Sequence, residues 1–173
     1  MKQKGFTLIE LLVVVAIIAL LASIVMASLN SAKAKARDAK RLDDKRQVVI
    51  ALNAYYNDHG SWPDTSSNGG GRCLGPSGET CWNGVYSGDD SFVSLMKPYI
   101  VSFPTNDVGS GSAAYNRLVF LSNFAPNPTW GAPTGAYLFW IQENSMPASI
   151  CPSVIPPQQQ SGGYWYCYEF LGP

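Results

Sequence analysis

The chain begins with a long stretch that contains no helix-breaking residue. From Phe6 to His59 there is neither glycine nor proline, the two residues that cost most inside a helix, so 54 consecutive residues can form one helix. Such a helix would be about 80 Å long, far above the average for globular proteins. Its apolar surface needs a partner, which must be the rest of the chain, other copies of the chain, or both.

The two halves of this stretch differ in character. Residues 8–29 are apolar on every side, and their length of roughly 33 Å is enough to cross a bilayer core. Residues 30–59 are charged and carry one narrow apolar stripe, formed by Ala32, Ala36, Ala39, Leu42, Val49, Leu52 and Tyr56. We therefore predict a transmembrane segment followed by an amphipathic one, which ends near Asp58 because Gly60 and Pro63 stop the helix.

Residues 60–173 are predicted to form a separate globular part, which we call the head. The Gly-rich residues 64–84 indicate a surface loop, and Ser91–Met96 predicts a short helix. Three segments rich in aromatic and aliphatic residues predict strands: Tyr115–Leu121, Ala136–Gln142 and Tyr164–Phe170. The predicted fold class is α+β, with a long N-terminal helix packed against a small antiparallel sheet.

All four cysteines lie in the head: Cys73, Cys81, Cys151 and Cys167. There is no CxxC motif and only one histidine, His59, so a zinc site is not predicted. An even number of cysteines in a Gly-rich region favours two disulfides over four reduced, buried thiols. Three pairings are open, and closeness in the sequence favours Cys73–Cys81 and Cys151–Cys167. Disulfides would place the head outside the cytoplasm.

Charge is unevenly distributed along the chain. Residues 1–46 contain nine Lys or Arg and four Asp or Glu, whereas residues 47–173 contain three and eight. An acidic head argues against binding of nucleic acid, and no specific nucleic acid is expected as a partner. Two oxygen-rich pairs, Asp89-Asp90 and Asn106-Asp107, leave calcium open as an alternative, although adjacent acids in a Gly/Ser loop are usually only solvated. No other cofactor, and no enzymatic activity, is predicted.

One acidic residue, Glu10, lies near the start of the apolar run. A carboxylate inside a membrane span costs up to about 3 kcal/mol, although less near its end, where it can reach the headgroups. An ordinary anchor explains the length of the run but not this residue. A secretory signal would have a shorter apolar core and a cleavage site behind it, whereas here the run continues directly into a strong helix.

The N-terminal sequence Lys4-Gly5-Phe6-Thr7-Leu8-Ile9-Glu10, followed by the apolar run, resembles the processing signal of type IV pilins and pseudopilins. The resemblance is strongest over residues 1–35 and extends more loosely to the segment YYNDHGSWP. It implies cleavage by a prepilin peptidase between Gly5 and Phe6, with residues 1–5 as a cytoplasmic leader and Phe6 as the N-methylated first residue.

The resemblance also implies a role for Glu10. Cleavage creates a positively charged amine on Phe6, and burying that amine among apolar helices is costly unless it is paired. Glu10 would supply the opposite charge to Phe6 of a neighbouring copy. Such a pair would fix the axial register of helices that could otherwise slide along one another.

By this resemblance the chain is expected to be a structural subunit of a type IV pilus-like filament. Its partners would be copies of itself, the prepilin peptidase, the membrane, and a pilus or type II secretion assembly platform. It would cross the inner membrane once before assembly and then join an extracellular or periplasmic filament. The alternatives are a type II secretion pseudopilin and a membrane-tethered binding module that never polymerises.

One feature opposes this orientation. Five cations follow the span closely, more than the leader contains: Lys33, Lys35, Arg37, Lys40 and Arg41. A simple count of positive charge would place the head in the cytoplasm. The expected disulfides require an oxidising compartment, and three aspartates share the surface of the same helix, so we expect an extracytoplasmic head.

Overall fold

The computed structural model describes seven stretches of the chain: 6–65, 70–81, 84–104, 118–125, 132–142, 158–159 and 165–173. Helix α1 spans Leu8–His59. It ends because Gly60 has a left-handed backbone (φ 68°), which lets its N–H donate to the carbonyl of Tyr56 at 2.8 Å. The predicted end of the long helix is therefore confirmed.

The head contains seven strands and a second helix in the described residues. In chain order these elements are β1 (Arg72–Cys73), β2 (Thr80–Cys81), β3 (Tyr86–Ser87), α2 (Asp90–Met96), β4 (Val119–Phe124), β5 (Gly135–Gln142), β6 (Gln158–Gln159) and β7 (Trp165–Gly172). Five of the strands form one antiparallel sheet in the order β1-β4-β5-β7-β6, and β2 pairs with β3. The predicted α+β class, with a long helix and a small antiparallel sheet, is confirmed.

The three predicted strands are the three longest in the sheet. Strand β5 is central, with Phe120 of β4 opposite Leu138 on one side and Cys167 of β7 opposite Trp140 on the other. The predicted end of β5 is exact, and the other predicted starts and ends differ by one to four residues. For β4 the prediction began at Tyr115, and residues 115–117 lie outside the described part of the chain.

The main hydrophobic core lies between α1 and one face of the sheet. Val48, Ala51, Leu52 and Tyr55 of α1 are buried together with side chains of the sheet and of α2, among them Phe92, Met96, Phe120, Leu138 and Trp140. Alternate residues of β5 point to the other face, where they form a second cluster with Cys73, Cys81, Val119, Leu121, Tyr166 and Tyr168. Every residue of β5 is consequently buried.

The predicted apolar stripe on the amphipathic half of α1 is wrong as a single surface. Leu52 is buried in the core, whereas Ala32, Ala36 and Ala39 are exposed. Each residue turns the helix by about 100°, so every three-residue step in the stripe falls about 60° short of a full turn. Three such steps place Ala32 and Leu52 on nearly opposite sides of the helix. The head therefore covers the Leu52 side and leaves the alanine side open.

The Gly-rich segment is more than the surface loop that was expected. Its β1 pairs with the edge of the sheet, with Arg72 opposite Phe120 and Cys73 opposite Val119, and Cys73 and Leu74 are buried. Gly71 fits here because a Cβ at this position would lie 2.6 Å from the ring of Tyr86. The expectation missed this pairing because β1 is only two residues long.

Candidate assembly site

The first half of α1 is the largest exposed apolar surface in the described structure. From Leu8 to Leu29 every residue is exposed, Ala27 excepted because its side chain is not described. Large side chains along it are 47% (Val14) to 87% (Leu8) exposed. By length and composition α1 could cross a membrane. Water cannot solvate so much contiguous apolar surface without a large free-energy penalty, so lipid or other protein chains must cover it.

The N-terminus of this apolar segment is closed by a capping box. The backbone N–H and the hydroxyl of Thr7 both donate to Oε2 of Glu10, at 2.9 and 2.8 Å, and the Glu10 N–H donates back to the Thr7 hydroxyl at 3.3 Å. These bonds satisfy backbone donors that have no partner inside the helix. Glu10 therefore has a local structural role in addition to the expected one, and the pattern T-x-x-E before an apolar run predicts it.

The same geometry brings Glu10 close to the expected cleavage point. Phe6 is exposed and precedes Thr7, whose N–H contacts the Glu10 carboxylate. A new amine on Phe6 would therefore lie within one residue of this carboxylate. Gly5 lies outside the described residues, so cleavage between Gly5 and Phe6 stays a prediction. Oε2 receives both Thr7 bonds, and within the described residues Oε1 of Glu10 accepts no hydrogen bond.

The predicted Cys73–Cys81 disulfide is confirmed. The two Cα atoms are 5.5 Å apart, and both side chains are fully buried. Cys167 is also in a disulfide, so the alternative of reduced thiols is wrong for the three described cysteines. Cys151 lies outside the described residues, and its pairing with Cys167 stays a prediction.

The acidic pair considered for calcium has other partners. Asp89 caps α2 by accepting hydrogen bonds from the N–H and the hydroxyl of Ser91, and its Oδ2 lies 3.2 Å from Nη2 of Arg72. The Ser91 hydroxyl is the main cause of a lowered pKa of Asp89. Asp90 accepts from the N–H of Ser77 at 3.0 Å. Among the described residues no group of three or more His, Cys, Asp or Glu could hold a metal ion, and Asn106-Asp107 lie outside them.

One ion pair holds α1 against the sheet. Nζ of Lys45 lies 2.6 Å from Oε2 of Glu169 on β7 and 4.9 Å from the ring centre of Trp140 on β5. Both charged side chains are mostly buried, at 11% and 23% exposure. The pair spans 124 residues of sequence, and no local pattern predicts it. It adds a charged contact to the apolar packing between α1 and the sheet.

The segment that contains Thr7 and Glu10 is the part of the chain that matches a known family model. The model of the prokaryotic N-terminal methylation motif matches residues 1–26. The N-terminal segment therefore carries this motif. The type IV pilin and pseudopilin resemblance is thus confirmed for the part of the chain in which the apolar half of α1 begins.

Relatives of this motif-bearing chain include subunits of pili and of secretion systems. The type IV major pilin protein PilE1 of Neisseria gonorrhoeae is 35% identical over 68 residues, which are 39% of this chain and 41% of the relative. The type II secretion system core protein G of Escherichia coli is 42% identical over 65 residues, 38% of this chain and 45% of the relative. A fimbrial protein of Neisseria meningitidis serogroup B is 35% identical over 68 residues.

These likenesses cover only part of each protein. The chain spans about two fifths of the length of the curated relatives that it matches. No solved structure matches the chain. The shared region is too short to carry the relatives' activities over to the whole chain.

Proposed function

We propose that this chain is a structural subunit of a type IV pilus-like filament, with no enzymatic activity and no cofactor. The observation that carries the proposal is the methylation motif at residues 1–26, joined to an apolar half-helix that nothing in the described chain covers. Lipid would cover this half-helix before assembly, and the same half-helix of other copies would cover it in the filament. One apolar surface then serves first as an anchor and later as the filament core.

Processing would precede assembly. A prepilin peptidase would cut between Gly5 and Phe6 and methylate the new amine on Phe6, and a pilus or secretion assembly platform would then extract the subunit from the membrane. Mass spectrometry of the protein from native membranes tests this step. A chain that begins with methylated Phe6 supports the proposal, whereas a chain that keeps Met1 or Lys2 would favour a membrane tether that does not polymerise.

The charge of Glu10 would pair with the Phe6 amine of a neighbouring copy. Within one chain Glu10 uses Oε2 to cap the helix, which leaves Oε1 to accept a hydrogen bond from the amine. In an apolar bundle an unpaired amine is strongly destabilising, so only copies in the correct axial register would associate stably. The competing explanation is that Glu10 acts only through the capping box.

Two variants separate these roles. Glu10→Gln removes the charge but keeps an acceptor that suits this position of a capping box. Thr7→Ala keeps the charge and removes the hydroxyl of the cap, at a cost of about 1 kcal/mol. If the charge pair is required, Glu10→Gln abolishes filaments seen by electron microscopy of sheared material, whereas Thr7→Ala keeps them. Filament formation by Glu10→Gln at the normal level would refute the pairing role.

The kind of filament is a separate question. The motif-bearing region resembles both pilus and secretion subunits, so it does not distinguish them. We favour a pilin over a type II secretion pseudopilin because a disulfide-bonded C-terminal region is more typical of pilins. The head would be extracytoplasmic, as the disulfides require. Long fibres at the cell surface would support the pilin, and short periplasmic fibres the pseudopilin.

A further inference from the structure

We propose that Lys33 and Lys35 each bind the phosphate group of an anionic phospholipid, at the membrane surface where the apolar span ends. This inference rests on the membrane-inserted state in the proposed function, but not on filament assembly. It assigns a role to the basic residues that oppose the expected orientation.

The length of the helix places these two lysines at the level of the headgroups. If Glu10 lies at one edge of the hydrocarbon core, a core of about 30 Å takes up about 20 helical residues and ends near residue 30. Lys33 and Lys35 then lie about 4.5 and 7.5 Å beyond that edge. The headgroup layer is about 5 to 8 Å thick on each side, and a lysine side chain can reach several ångströms toward it.

The structure distinguishes these lysines from the cations that follow. Arg41 donates to Oδ1 of Asp38 at 2.8 Å, and Lys45 is paired with Glu169. Arg37 and Lys40 also have partners within the chain. Lys33 and Lys35 are exposed, and neither makes an ion pair within the described residues.

The two lysines and the cations that follow them also differ in their height above the membrane. Arg41 would lie about 16 Å beyond the hydrocarbon edge, outside the headgroup layer. Arg37, Lys40 and Arg41 therefore have partners within the chain, and the two lysines near the span are left for a ligand. Of the five cations that follow the span, only these two combine exposure with the height of the phosphates.

The ligand follows from charge and position. A membrane surface with anionic lipids attracts nearby lysines with roughly 1 kcal/mol each, which corresponds to about fivefold in affinity. Lys33 and Lys35 lie 200° apart around the helix, at about 100° per residue, so they would contact lipids on two sides. Bound lipids would hold the unassembled subunit at a fixed depth and would have to be released on extraction.

The test uses the full chain, one copy per nanodisc, in equal parts of phosphatidylglycerol and phosphatidylcholine. Spin-labelled lipids report which of the two lipids the chain contacts. We expect the chain to prefer phosphatidylglycerol, and Lys33→Gln/Lys35→Gln to lower that preference by about fivefold for each lysine. Lys97→Gln is the matched control, since Lys97 is an exposed lysine of the head. Lys33→Arg/Lys35→Arg should keep most of the preference.

Further outcomes distinguish other origins of the effect. Inorganic phosphate added at millimolar concentration should not remove the lipid preference. If the preference disappears when phosphate is added, the lysines bind free phosphate instead. An unchanged preference in Lys33→Gln/Lys35→Gln would overturn the proposal. If that variant keeps its lipid preference but loses filaments, the lysines contact another copy of the chain, which also overturns it. Because the assay uses unassembled chains, failure of the filament proposal would not alter its result.

Discussion

The two halves of α1 belong to one continuous helix but are stabilised in different ways. In the half near the head, Val48, Ala51 and Leu52 are almost completely buried against the sheet. In the half near the N-terminus, side chains of similar size such as Val14 and Leu21 are about half exposed, which is close to the exposure of an isolated helix. The chain thus supplies partners for one half of its long helix and leaves the other half to its surroundings.

This difference shows where the stability of each half originates. A helix gains most of its stability from the packing of its apolar face, not from intrinsic propensity. The half near the head gains it from the sheet, and the N-terminal half can gain it only from lipid or from other chains. A change in the environment of the N-terminal half, such as the proposed transfer from membrane to filament, should therefore not disturb the head.

The largest expected effect compares equivalent truncations in the two halves. Leu52→Ala should lower the free energy of unfolding of the head by about 2–5 kcal/mol, because it leaves a cavity in the core. Leu21→Ala should change it by less than about 0.5 kcal/mol, because Leu21 is exposed and belongs to neither core cluster of the head. Denaturation of the full chain in nonionic detergent, followed by tryptophan fluorescence, measures both, since all five tryptophans lie in the head. Similar losses in the two variants would contradict the separation of the halves.

A second prediction concerns the disulfide beside the sheet edge. Cys73→Ser/Cys81→Ser should destabilise the head by about 2.5 kcal/mol, the loop-entropy value for a closed loop of this length. The apolar half should be unaffected, so membrane insertion of the variant should equal that of the natural chain. The denaturation assay with and without reductant provides the measurement. A natural chain that is insensitive to reductant, with a variant of equal stability, would show that the disulfide contributes nothing.

The sequence predicts the parts of this molecule that depend on local patterns. The long helix follows from the absence of Gly and Pro, its end from Gly60, and the three main strands from their composition. The Cys73–Cys81 pairing follows from closeness. Thr7 and Glu10 at the candidate site also form a local pattern, a capping box, which can be read directly.

The remaining features depend on which residues meet in three dimensions. The spacing of three or four residues does not by itself show that Ala32 and Leu52 lie on opposite sides of α1. Their positions around the helix follow only when the rotation of about 100° per residue is summed from Ala32 to Leu52. Lys45 and Glu169 are too distant in sequence to be matched without the fold. Asp89 resembled a calcium ligand because the start of α2 and the position of Arg72 were unknown.

A third prediction tests the ion pair that joins the half near the head to strand β7. Lys45→Met keeps the apolar stem over Trp140 but leaves Glu169 mostly buried without its cation. The loss of a charged hydrogen bond at this position should destabilise the head by about 2 kcal/mol. Lys97→Met is the control, because Lys97 is exposed and should change stability by less than about 0.5 kcal/mol. Equal stability of the two variants would mean that the ion pair contributes no net stabilisation.

The smallest expected effect lies at α2, far from the apolar half, and depends on pH. Hydrogen bonds from Ser91 lower the pKa of Asp89 in the folded head below its ordinary value near 4. The ionised carboxylate therefore stabilises the fold fully above the unfolded-state pKa, and this stabilisation is lost as pH falls through the folded-state pKa. Asp89→Asn keeps a good N-cap but cannot ionise, so its stability should depend less on pH as the pH falls below the ordinary pKa of an aspartate, near 4.

Denaturation at several pH values in nonionic detergent measures how the free energy of unfolding of both chains changes with pH. Asp89→Ala serves as the variant that loses the cap, which should cost about 1 kcal/mol. Parallel slopes for the natural chain and Asp89→Asn would show that Asp89 has equal pKa values in the folded and unfolded states. Insertion of the apolar half into nanodiscs should be the same for all three chains even where the free energy of unfolding of the head falls. The two halves are then independent even when the ionisation of the head changes. If insertion changes together with the stability of the head, the two halves are coupled through α1.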